Sequence, residues 1–132
     1  MDLKNFELQD VGEIRITDSN GDPTNVVWKI AGPAHPMRVE FERKQASRGL
    51  REFNRAGKAV LSEDPDKLFD QETDRLVALS LGWDGIENNG EAVPFSPDMA
   101  RQLLSNRALV FRIQVSVGLG KIENFSKPAS TS

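Results

Sequence analysis

Residues 13–17 (Glu-Ile-Arg-Ile-Thr) alternate polar and apolar side chains, the period-two pattern of a strand with one buried face. A turn centred on Asn20-Gly21 follows, since both residue types tolerate positive φ. Residues 26–31 (Val-Val-Trp-Lys-Ile-Ala) are β-branched and aromatic and predict a second strand, closed by Gly32-Pro33. From residue 36 the period changes. Pro36 suits a first helical turn, and a helix is predicted over 36–56 with Val39, Ala46, Leu50 and Phe53 on one stripe. Gly49 weakens its middle by about 1 kcal/mol relative to alanine, and Gly57 is the expected stop.

A second helix is predicted over 65–83. Asp66, Asp70 and Glu72 lie where the dipole favours acidic groups, and Phe69, Leu76, Leu79 and Trp83 share a face. Gly82 and Gly85 release the chain, Asn89-Gly90 turns it, and Val93 and Phe95 are expected to run extended back towards Ile86. Ser96 and Pro97 read as N-cap and first residue of a helix over 97–105, with Phe95 as a staple onto Met99 or Ala100. Residues 107–125 read as a last helix, in which Leu109, Ile113 and Val117 recur every four positions beside Val110. Their β-branched content leaves a strand open. These elements predict a mainly helical α+β chain: an N-terminal hairpin followed by four helices in a single domain over 13–125. A loosely held arm at 1–12 precedes it and a polar tail at 126–132 follows.

The 132 residues suffice for one domain with a modest core. The absence of cysteine removes disulfides and thiolate chemistry and suits a reducing compartment. No apolar run reaches the roughly 18–20 residues needed to span a bilayer, and residues 1–10 lack a signal-peptide pattern, so a protein made and used inside a cell is expected. A net charge of −3 argues against a general nucleic-acid binder.

Catalytic, metal and cofactor residues are not expected. The one histidine, His35, lies between two prolines with no nucleophile motif beside it, and reads as a loop or cap residue. The acidic run at 63–74 lacks the calcium-loop pattern, and 17–25 lacks its closing glutamate. Gly118–Lys121 is a phosphate-loop fragment without its first half or its Ser/Thr. Charge is more informative. Residues 38–58 carry seven basic and three acidic side chains, whereas 63–74 carry six acidic and one basic. Lys44, Arg48, Arg51 and Arg55 fall at spacings of four, three and four on one helical stripe. Such a stripe can hold an acidic partner or phosphates, be solvated, or pair with the acidic helix start of the same chain. It lacks the interleaved aromatics of a single-strand binder. Trp28 and Trp83 suit a core, or an interface anchor.

Residues 81–106 bear a further pattern. Trp83 is followed by Gly85 and Ile86, then by Gly-Glu-x-x-Pro-Phe-Ser at Gly90, Pro94, Phe95 and Ser96, then by Ala-Arg-x-Leu-Leu at Ala100, Leu103 and Leu104. Ile-Glu-Asn-Phe ends at Phe125, and an Asp-x-x-Gly-x-Pro hairpin begins at Asp18. Over about residues 13–125 the chain resembles the small tail assembly chaperones of long-tailed bacteriophages. That resemblance implies a non-enzymatic protein of the infected host's cytoplasm, absent from the mature virion. Its partners would be the tape measure protein, which it keeps soluble, and the tail tube protein, which it helps recruit; self-association is open. Expected contact residues are Lys44, Arg48, Arg51, Arg55, Trp83, Phe95, Leu109, Ile113 and Val117. The rival expectation is a structural phage protein: a head–tail connector, a tail completion protein or a decoration subunit.

Overall fold

The computed structural model describes residues 1–56 and 64–126. Strand β1 (Val11–Thr17) pairs antiparallel with β2 (Pro23–Ala31), with Ile14 opposite Trp28. The Asp18 carboxylate ties the turn by accepting from the backbone N–H groups of Asn20 (2.9 Å) and Asp22 (3.0 Å). Alternation then does what its period dictates. Ile14, Ile16, Trp28 and Ile30 share one buried face, while Glu13 and Arg15 lie on the other.

Helix α1 (Pro36–Ala56) follows. His35 caps it, its Nδ1 accepting from Met37 N–H at 3.1 Å and its carbonyl from Val39 N–H at 3.0 Å. The expected apolar stripe is not a packing face. Val39 is half exposed, Ala46 is exposed, and Leu50 is 62% exposed. The Phe53 side chain and Gly57 lie outside the described residues. α1 is held near its start. Phe41 packs on the core, and Arg38 Nη1 donates to the carbonyls of Ala31 (3.2 Å) and Leu119 (3.3 Å).

Helix α2 (Pro65–Ala78) begins on the Asp64 cap, as acidic side chains near a helix start favour. It does not continue to Trp83. Residues Ser80–Asp84 form β3, antiparallel to β2, with Trp83 opposite Trp28. Helical spacing of Leu76, Leu79 and Trp83 carried the expectation past the true end. The free edge of β2 offers this segment a full hydrogen-bond ladder, and Gly82 weakens the competing helix. Ala31 N–H donates to Leu79 O at 2.9 Å, so the chain passes from helix to strand without a loop. Ser80 fixes the junction: its hydroxyl accepts from Trp28 Nε1 (2.9 Å) and donates to Leu76 O (2.6 Å).

A short hairpin follows, β4 (Glu87–Asn88) with β5 (Glu91–Ala92). Asn89 and Gly90 both take positive φ, +54° and +82°, as a tight two-residue hairpin demands. Val93 N–H returns to Ile86 O at 2.9 Å. Helix α3 (Pro97–Ser105) starts on Ser96, whose hydroxyl accepts from Met99 N–H at 3.0 Å. Ser96→Ala should cost about 1 kcal/mol, read as a lower urea midpoint with an unchanged m-value.

The final helix is shorter than the expected span of 107–125, and its stripe of Ile113 and Val117 faces outward. α4 covers Phe111–Leu119, and Ile122–Phe125 is a 3-10 turn. Val115, Gly118 and Leu119 are its buried side. Ile113 is 70% exposed and Val117 52%. The helix lies so close on β1 that a Cβ at position 118 would collide with the Ile14 side chain, so glycine decides which face turns inward. Phe125, wholly buried, closes the core beneath β1, and its carbonyl accepts from Gln9 N–H at 2.7 Å.

The expectation of a mainly helical chain, a hairpin followed by four helices, is therefore corrected. Among the described residues four helices stand beside five strands, in a three-stranded sheet (β1-β2-β3) and a two-stranded one (β4-β5). The fold is a roughly balanced α+β.

Candidate partner-binding surfaces

Trp83 and Phe95 organise the interior. Trp83 is 7% exposed, its ring centroid 4.7 Å from that of Trp28 and 4.9 Å from that of Phe95 in a T-shaped contact. Its Nε1–H donates to Val93 O at 2.8 Å, which ties β3 to the segment after β5. Trp83 is thus part of the core, and Phe95 is half-buried against it.

Lys44 and Arg48 lie exposed on α1. Lys44 stands 4.0 Å from Glu40, whose carboxylate also receives Arg43 at 2.7 Å. The hydrogen bonds from Arg43 draw the Glu40 carboxyl below its ordinary range and raise the guanidinium. Arg51 and Arg55 continue the helix, and their side chains lie outside the described residues. Among the described residues the ion pairs of α1 stay within α1, and Glu72 and Asp74 of α2 pair with Arg75 and Arg101. The basic stripe and the acidic helix start do not neutralise each other there.

Between α1 and α2 runs a groove of about 550 Å³ that sequence reasoning did not anticipate. Its floor is apolar, with Phe41 from α1 and Leu68 and Leu79 from the α2 side. Leu68 is 49% exposed, although it belongs to a helix that packs on the core elsewhere. Charges of both signs line the walls: Arg38 and Glu42 on one side, Glu72 and Arg75 on the other. Arg75 Nη1 and Glu72 Oε1, shielded from solvent, face each other at 3.5 Å without a hydrogen bond. The tertiary packing of two consecutive helices creates this feature, so no single local signal could have located it.

A third surface lies beside β1. Ile113 and Val117 project from α4 beside β1, over a depression that also takes in Arg15, Gln114 and Lys121. Leu109 is half-buried in the turn before α4. Among the described residues no group of three or more His, Asp or Glu converges as a metal site would require, and no helix is long and apolar enough to cross a membrane. No protein-family model, no curated protein and no solved structure matches this chain.

Proposed function

We propose that this chain is a tail assembly chaperone of a long-tailed bacteriophage. In this reading it works in the host cytoplasm without catalysis, binding the tape measure protein, keeping it soluble and helping to recruit the tail tube protein. One observation carries the helix-holding part of the role: the groove between α1 and α2, apolar at its floor and charged with both signs along its walls. An amphipathic helix lays its apolar stripe into such a groove and meets charges at the margins. A long helical protein awaiting assembly exposes that kind of stripe and aggregates if it stays bare. The phage identity rests on the motif residues quoted above. Several of them, Trp83, Phe95, Ser96, Ala100 and Leu104, meet in and around one packed unit.

Co-expression tests it. A fragment of a long helical tape measure protein from the same genome should become soluble with this chain and co-purify with it. Leu68→Asp, placed at an exposed groove position, should abolish capture while the far-UV spectrum stays unchanged. A fragment that remains insoluble beside the folded chain refutes the proposal. So does the protein at fixed copy number in purified virions, which would favour a structural component.

A further inference from the structure

β1 is an edge strand, and its hydrogen-bonding phase is fixed by the bond from Gly32 N–H to Asp10 O at 2.7 Å. The backbone groups of Gly12 and Ile14 therefore turn towards β2, and those of Val11, Glu13 and Arg15 turn outward. Both ends of that outer row are occupied. Gln9 N–H donates to Phe125 O, and at Thr17 the Gln114 carboxamide imitates a neighbouring strand. Gln114 Oε1 accepts from Thr17 N–H and its Nε2 donates to Thr17 O, both at 2.9 Å. Between these caps a row of three residues has no strand beside it among the described residues. Open edges of this kind are templates for another strand.

The side chains along the row indicate which strand. Glu13 and Arg15 are exposed, and neither forms an ion pair among the described residues. We infer that two copies of this chain pair antiparallel along their β1 edges, about a two-fold axis at Ile14, and fuse their three-stranded sheets into one. In this register Glu13 of each copy stands opposite Arg15 of the other, so the symmetry gives two opposite-charge cross-strand pairs. Moving the axis to Glu13 or to Arg15 sets like charges face to face. Beneath the joined sheet the axis brings the α4 helices together, and the exposed Ile113 and Val117 of each copy gain an apolar partner. Glu13 and Arg15 supply the backbone pairing, with Val11 falling opposite the capped Thr17; this pairing, the charge and the apolar burial agree on one occupant, a second copy. The inference does not depend on the proposed chaperone role.

Sedimentation velocity of the full chain over a concentration series tests it. A reversible dimer is expected. Glu13→Arg turns both pairs repulsive and should weaken the dimer about tenfold or more, whereas the exchange Glu13→Arg with Arg15→Glu restores opposite charges and should restore association. Ile113→Asp, at an exposed position, should weaken it without loss of helix signal. A chain that stays monomeric at the highest attainable concentration overturns the inference, as does a dimer indifferent to Glu13→Arg, or one that the charge exchange does not rescue. An added extended peptide that protects the β1 amides from exchange in a monomeric chain also overturns it, by identifying a different occupant.

Discussion

Trp28→Ala should lose about 3–5 kcal/mol of folding stability, a large share of the roughly 5–15 kcal/mol that holds a domain of this kind together. Trp28 is completely buried in the central strand. It packs on Trp83 at 4.7 Å and on Phe111 at 5.5 Å between ring centroids, so one side chain binds β2 to β3 and to α4. Truncation leaves a large cavity and removes the donor that Ser80 Oγ accepts from. Trp28→Phe separates the two effects: it refills most of the volume but leaves the hydroxyl without its indole, at about 1–3 kcal/mol. Urea unfolding followed by far-UV circular dichroism is the suitable measurement, because both substitutions remove a fluorophore. A loss within about 0.5 kcal/mol for the alanine variant, typical of surface sites, would contradict this account of the core.

Arg112→Met should cost about 2–4 kcal/mol, although arginine is usually a surface residue. Its guanidinium lies where three helices meet. Nη1 donates to Thr73 Oγ1 at 2.6 Å and to Leu104 O at 3.2 Å, and Nη2 donates to Phe69 O at 3.0 Å. Leu104 O belongs to the last turn of α3, whose carbonyls have no partner within the helix, so Arg112 supplies what the helix end lacks. The charge also sits 3.7 Å from the centre of the Phe69 ring, with Arg107 at 4.1 Å from the same ring. Burial lowers the Arg112 pKa and nearby Glu72 partly offsets it, yet the group stays charged at any pH at which the fold is handled. Lysine should rescue little, since a single ammonium cannot reach three acceptors spread over a planar fork. Thermal unfolding of the wild-type chain and both variants distinguishes loss of this fork from loss of charge: with the fork decisive, Arg112→Lys melts close to Arg112→Met.

Local chemistry made much of this architecture readable. The alternation at 13–17, the Asn-Gly turns, the Pro36 start and the Ser96-Pro97 cap each act within a few residues, and the observed β1, hairpins, α1 and α3 follow them. β3 was hidden because its partner β2 lies some fifty residues upstream, and because Leu79 and Trp83 fit a helical period as well as a strand next to β2. α4 was legible as a helix, with core and contact roles both open for its apolar stripe. Four-residue spacing selects Ile113 and Val117, whereas close approach at Gly118 selects the other side, and a glycine announces no face of its own. The candidate surfaces divide likewise. The exposed positions of Lys44 and Arg48 on α1 follow from composition, but the groove against α2 and the free stretch of β1 exist only once whole elements pack together.

The bond between Ala31 and Leu79 has an evolutionary corollary. Helices α1 and α2 lie between these two residues in the chain, and the bond clasps the point where the chain returns to the sheet. Because doubling the length of a flexible loop costs only about 0.6 kcal/mol, insertions between the two helices leave the sheet almost undisturbed, whereas α2 itself is bound to the core through buried Leu76. Chain length between the two helices is thus free to drift, while the pleated base and the helix packed on it stay constrained.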